Sequence, residues 1–284
     1  MEFTTLISAE ELEQHLGSPS LVLFDCRFDL ADTSKGEGAY AEGHLPGAIY
    51  AHLDRQLSSP ITASSGRHPL PEIQHLAQWL GDCGVSSDSQ VVVYDDSFGT
   101  MATRLWWLLR WLGHDRVALL DGGWQAWRRS KGKIVTEIPS PRSTGFNASP
   151  RDGMLLETDA ILQDIEVEQQ VWLLIDARTA DRHNGEAEPI DPVAGSIPGS
   201  VNLPLQLNVN ARGHYLPAET LRQRYRELLG DHPSERSACY CGSGVTACHN
   251  LLAMEIAGLR GSRLYAGSWS EWIRDPARPV QTKP

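Results

Sequence analysis

The chain has 284 residues, 41% hydrophobic and 21% charged, with a formal net charge of −11. That is enough for two domains with cores of their own, and the composition is that of a globular protein. The acidic balance, with no Lys/Arg cluster, speaks against nucleic acid or an anionic membrane as a partner. The acidic N-terminus (MEFTTLISAEELEQHL) lacks a basic-then-apolar leader, and no apolar run approaches the roughly 18 residues of a spanning helix, so a cytoplasmic protein is expected. Five scattered cysteines, Cys26, Cys83, Cys239, Cys241 and Cys248, do not make a disulfide framework.

In chain order, Ser8 and Glu11 form a capping-box signature ahead of a helix. Leu21–Arg27 is a buried-type strand ending in Asp-x-Arg, and Gly43-His44-Leu45-Pro46-Gly47 turns into another short strand. Pro71–Leu80 is a helix with Pro71 as its first residue. The β-branched run Val91–Asp96 is a strand, Thr103–Trp111 an apolar helix and Val117–Asp121 a strand, and Gly122-Gly123-Trp124 opens a further helix.

The second half repeats this order. Trp172–Arg178 answers the Asp-x-Arg strand, Ser196–Val201 the Pro-Gly tract, and Gly267-Ser268-Trp269 the Gly-Gly-Trp start. The last match has an offset of 145 positions (269 − 124), which carries back ungapped to pair Cys241 with Asp96. Such self-similarity indicates a duplicated domain. The expected organisation is a first domain over 1–138, a Pro- and Ser-rich linker over 139–152 and a second domain over 153–284. Strands alternating with helices give an α/β fold, each domain a parallel sheet covered by helices on both faces, with function at the carboxyl ends of strands.

One such end carries Cys241-Gly242-Ser243-Gly244-Val245-Thr246-Ala247, followed by a helical pattern from His249 to Ala257. The glycines let the loop curl and turn backbone N–H groups inward, and the helix start adds its positive dipole end. A thiol in that cradle has a lowered pKa and acts as a nucleophile, and the loop holds an anion carried on its sulfur. Asp96, in the matching place, cannot do thiol chemistry, so the first domain is expected to be catalytically inactive. Cys239, two residues from Cys241 on the same strand face, packs in the core or serves Cys241 as a redox partner. Cys239, Cys241, Cys248 and His249 lack zinc-site spacing, and no metal or organic cofactor is expected. The tryptophans, at helical spacing in both halves, read as packing residues.

The paired Asp-x-Arg strands, the two Pro-Gly tracts, the two Gly-x-Trp-x-x-Trp helix starts and the loop together resemble the two-domain rhodanese-type sulfurtransferases over nearly the whole chain. The CGSGVTA loop is similar to that of members using 3-mercaptopyruvate; thiosulfate-preferring members carry basic residues directly after the cysteine. The resemblance implies that Cys241 takes sulfur from a small donor, becomes a persulfide and passes the sulfur to cyanide, a thiol or a thioredoxin-like acceptor. Gly242, Ser243, Gly244, Val245 and Thr246 would line the sulfur site, and Arg182 would hold the donor's carboxylate by paired hydrogen bonds. Arg178 is expected in a structural salt bridge. The family's second arginine, about nine residues further on, is missing: the segment reads Glu188-Pro189-Ile190-Asp191-Pro192. The resemblance also implies a relay of Asp54, His68 and Ser243.

Two donors therefore stand side by side, 3-mercaptopyruvate and thiosulfate. A non-catalytic sulfur carrier or interaction module is the alternative from another class. A phosphatase or arsenate reductase needs arginine at the sixth position after the cysteine, where this chain has Ala247. A serine hydrolase lacks its G-x-S-x-G elbow.

Overall fold

The computed structural model describes residues 2–167 and 170–282. The chain folds into two units. The first comprises Met1–Ser59, Leu70–Arg151 and Ala211–His214; the second comprises Pro60–Pro69, Asp152–Asn210 and Tyr215–Pro284. The division is therefore not one cut. Ten residues from the first half of the sequence belong to the second unit. The segment read as a linker is laid along the first unit instead, with Thr144 N–H on Gly81 O (2.8 Å) and Ser149 N–H on Leu112 O (2.9 Å).

The first unit runs β1 (Leu6–Ile7), α1 (Ala9–His15), β2 (Leu21–Asp25), α2 (Lys35–Glu42), β3 (Ala48–Tyr50), α3 (Ile73–Asp82), β4 (Gln90–Tyr94), α4 (Ala102–Trp111), β5 (Val117–Leu120) and α5 (Gly123–Arg129). Its five strands are parallel in the order β1-β5-β4-β2-β3. The Ser8–Glu11 capping box is present on α1. Helix α3 starts at Ile73 rather than Pro71, whose successor Glu72 is still extended at ψ 128°. Leu12, Leu23, Val92, Ala118 and Trp127 pack into one core, so the apolar strand faces and the repeated tryptophan close the same layer.

The second unit runs α6 (Thr158–Ile165), β6 (Leu173–Asp176), α7 (Ala180–Asn184), β7 (Val201–Asn202), α8 (Ala218–Leu229), β8 (Ser237–Tyr240), α9 (Ala247–Ile256), β9 (Arg263–Leu264) and α10 (Ser268–Trp272). Its four strands are also parallel, in the order β7-β6-β8-β9, with β8 interior. Trp269 and Trp272 are fully buried with Leu174, Ala238 and Tyr240.

The duplication extends to single hydrogen bonds. In the first unit Arg27 Nε and Nη2 reach Asp25 Oδ2 at 3.0 and 2.6 Å, Nη2 also donates to Gly43 O, and the guanidinium lies over Trp124. In the second, Arg178 repeats this with Asp176, Gly195 O and Trp269. Each Asp-x-Arg is thus a buried ion pair closing the end of its strand, the role expected of Arg178. Burial opposes ionisation of Asp176, but His183 and Arg178 outweigh it and hold the carboxyl below its usual range.

Register corrects one equivalence. Tyr94 pairs with Asp25 as Tyr240 pairs with Asp176, so the residue after the strand is Asp95 in one unit and Cys241 in the other. Trp124 N–H donates to Asp95 O as Trp269 N–H donates to Cys241 O. The counterpart of Cys241 is therefore Asp95, not Asp96. Seven positions separate Asp95 from the start of α4 (102 − 95), six separate Cys241 from the start of α9 (247 − 241), and the ungapped offset misses that extra residue.

Candidate active site

Cys241 follows interior strand β8 at its carboxyl end and is 1% exposed. Segment 267–270 stitches its backbone down: Cys241 N–H donates to Ser268 Oγ (3.1 Å), Trp269 N–H to Cys241 O (3.0 Å) and Ser270 N–H to Gly242 O (2.9 Å). Ser268 was not singled out by the sequence. It sits at φ +54°, where the repeat has Gly123 at φ +53°. A non-glycine residue there is strained, and here the strain places a hydroxyl on the Cys241 N–H.

Beyond the cysteine, Gly244 turns at φ +76° against the Ala266 carbonyl, where a side chain has no room. Helix α9 begins with no side-chain cap at Thr246. Among the described residues, the N–H groups of Ser243, Val245 and Thr246 donate to no protein acceptor. The corresponding loop of the first unit is filled. Asp95 Oδ1 accepts from Ser97 and Gly99 N–H (2.9 and 2.8 Å), and Oδ2 accepts from Met101 and Ala102 N–H (both 2.8 Å). Burial pushes that carboxyl up while the four N–H donors pull it down. A loop of this build holds an anion.

The second unit gathers further side chains around Cys241. The 60–69 segment is fastened by Arg67 N–H to Ser270 Oγ (3.0 Å) and Arg274 Nε to Ser65 O (3.0 Å). It brings His68 Nδ1 within 2.7 Å of Ser243 Oγ, both side chains buried. Arg182, on α7, gives Nε and Nη2 to Glu188 (3.0 and 2.7 Å) and Nη2 to Asp191 Oδ2 (3.3 Å). Burial opposes the charge on Glu188, but the Arg182 contact and the N–H groups of Asp191 and Ile190 hold its carboxyl below the usual range. Asp54 belongs to the first unit, where it is exposed and its N–H donates to His52 Nδ1 (3.1 Å).

Arg67, the neighbour of His68, was not singled out by the sequence either. Its Nη1 pairs with Asp191 Oδ1. A Cβ on Gly242 would stand 2.8 Å from Arg67 Nη2 and 3.6 Å from Arg182 Nη2, so both guanidiniums lie over the residue after the cysteine. No local signal in the sequence links Arg67 to a loop 175 positions on (242 − 67).

Cys239 is a packing residue of β8. Burial pushes its thiol up to about 12, against a weak contact with Ser262 Oγ, which leaves it protonated at neutral pH. Among the described residues no cluster of His, Cys, Asp or Glu is placed to hold a metal, and no helix is long and apolar enough to cross a membrane.

The model of the Rhodanese-like domain matches twice, over residues 8–130 and 158–275. The chain belongs to the rhodanese family. It is 47% identical to a probable 3-mercaptopyruvate sulfurtransferase of Pseudomonas aeruginosa, over 99% of both chains. It is 39% identical to a putative thiosulfate sulfurtransferase of Mycobacterium tuberculosis, over 97% of this chain and 96% of that one. Among solved rhodanese structures, SseA from Escherichia coli, described as a 3-mercaptopyruvate sulfotransferase, superposes with a TM-score of 0.80 at 28% identity. The match covers 94% of this chain and all of that one. The expected fold, two tandem rhodanese-like domains, is therefore the one found.

Proposed function

We propose that this sulfurtransferase moves sulfur from 3-mercaptopyruvate through a persulfide on Cys241 to a thiophilic acceptor. One observation carries the reading: Cys241 heads a loop whose counterpart spends its N–H donors on a carboxylate, whereas the N–H groups of Ser243, Val245 and Thr246, with no acceptor among the described residues, are left for an anion on sulfur. The Cys241 thiolate attacks the donor sulfur; an S–S bond forms, the donor C–S bond breaks, and the electron pair leaves on carbon as the enolate of pyruvate. The enolate takes a proton and departs as pyruvate. His68, hydrogen-bonded to Ser243, supplies that proton through the hydroxyl. The persulfide, its charge held by the loop N–H groups, then gives its outer sulfur to cyanide, a thiol or a reduced thioredoxin-like protein and restores the thiolate.

Thiosulfate is the second donor considered, and the nature of the loop argues against it: Gly242, Ser243 and Gly244 directly after the cysteine supply no positive side chain. The first unit, with Asp95 in the cysteine's place, performs no transfer in this account. Parallel steady-state assays with the two donors and cyanide as acceptor test the reading. Higher kcat/KM with 3-mercaptopyruvate, lost in Cys241→Ala, is the expected result. A preference for thiosulfate would overturn the donor assignment.

A further inference from the structure

Arg67 and Arg182, beside Gly242, belong to a network in which three arginines (Arg178 is the third) meet three carboxylates, Asp176, Glu188 and Asp191. Net charge therefore does not make this place a site; what matters is which N–H groups remain. Glu188 takes Nε and Nη2 of Arg182 from behind. Asp191 bridges the two outer arginines, with one oxygen on Arg67 Nη1 and the other on Arg182 Nη2. Arg67 Nη2 and Arg182 Nη1 donate to no protein group among the described residues, and both lie within 4 Å of where a Gly242 Cβ would stand, at 2.8 and 3.9 Å. Two fixed guanidiniums thus present free N–H edges beside the nucleophile, each held from the other side by an acid. Burial, opposed by Arg67, pushes the Asp191 carboxyl up, as fits a group placed to hold its neighbours rather than to meet solvent.

We propose that Arg67 is the second cation of the donor site: Arg67 Nη2 and Arg182 Nη1 each donate to the carboxylate of the sulfur donor, while Asp191 positions both guanidiniums. Asp191 stands nine residues after Arg182 (191 − 182), where the segment lacks an arginine, so the charge is supplied from the 60–69 segment and tethered by the acid in its place. Glycine at 242 keeps the space between the arginines and the loop open. This assignment rests on the reading that the donor is an α-keto carboxylate. The competing role for Arg67 is a tie that only fastens its segment to the second unit.

Steady-state kinetics with 3-mercaptopyruvate, wild type beside Arg67→Gln, Arg67→Lys and Gly242→Ala, separate the two roles. Arg67→Gln is expected to raise KM roughly 10- to 100-fold, the loss of one charged hydrogen bond pair, with kcat held within a few-fold. Lysine recovers only part, since it cannot keep both the Asp191 contact and the donor contact in one plane. Gly242→Ala, which displaces the Arg67 tip while leaving the Arg67–Asp191 pair in being, raises KM as well. The inhibition constant of pyruvate, which carries the carboxylate without the sulfur, rises by the same factor as KM in Arg67→Gln. An unchanged KM and an unchanged pyruvate constant in Arg67→Gln, with an active wild type, overturn the role of Arg67 alone. A fall in kcat with loss of thermal stability and no change in the pyruvate constant establishes the tie instead. A wild type that transfers no sulfur from 3-mercaptopyruvate and binds no pyruvate overturns the donor reading, and this assignment with it.

Discussion

His68 Nδ1 and Ser243 Oγ stand 2.7 Å apart although 175 positions separate them in the chain. The pair exists because residues 60–69 belong to the unit that carries the cysteine. If it delivers a proton to the pyruvate enolate, His68→Ala and Ser243→Ala should each lower kcat with 3-mercaptopyruvate about 100-fold. Thiosulfate, whose leaving sulfite needs no proton on carbon, should lose only a few-fold. The limb of the pH–rate profile that depends on His68 should vanish in His68→Ala. Equal losses with both donors would make the pair structural.

Ser268 holds a left-handed backbone that its repeat gives to Gly123, and its hydroxyl meets the Cys241 N–H at 3.1 Å. Ser268→Gly relieves the backbone strain and removes that contact. Stability should stay within about 1 kcal/mol of wild type, because relief and the entropic cost of glycine offset one another. Turnover should nonetheless fall about 10-fold as the cysteine's backbone loosens. Thermal melts beside kcat/KM check both halves.

Asp95 satisfies four backbone N–H groups at once. Asp95→Ala leaves them without an acceptor, three of the four buried, and should cost about 3 kcal/mol in urea unfolding. Asp95→Asn, which keeps one acceptor oxygen, should cost less.

Much of this was legible in the sequence because the unit is written twice. Asp-x-Arg, Pro-Gly and Gly-x-Trp each return at their own place, and a buried ion pair, a turn and a core tryptophan each need those residue types wherever they occur. Cys241 with its glycines is likewise a local pattern. Two things were not local. The first unit's loop has one residue more, which shifts Asp96 for Asp95 under an ungapped offset. Arg67 enters the site through a ten-residue excursion whose destination depends on tertiary packing alone.

Glu188 couples the site to acid stability. Its carboxyl is held below its ordinary value in the folded chain, so its contribution is complete above the unfolded value of about 4.3 and is lost as pH falls through the lowered folded value. Asp176, also lowered, adds to the same slope. Glu188→Gln should flatten the loss of stability below about pH 4.3 in denaturation measured across pH. A slope equal to wild type would mean that Glu188 titrates alike in both states.

Whether Cys241 carries the sulfur is decided by the intact mass of the protein after brief exposure to 3-mercaptopyruvate, followed by peptide mapping and then by addition of cyanide. A gain of one sulfur atom is expected on the peptide bearing Cys241, none in Cys241→Ser, and its disappearance with formation of thiocyanate. Sulfur transfer that proceeds in Cys241→Ser, or a persulfide found on Cys239 or Cys248 instead, would contradict the assignment.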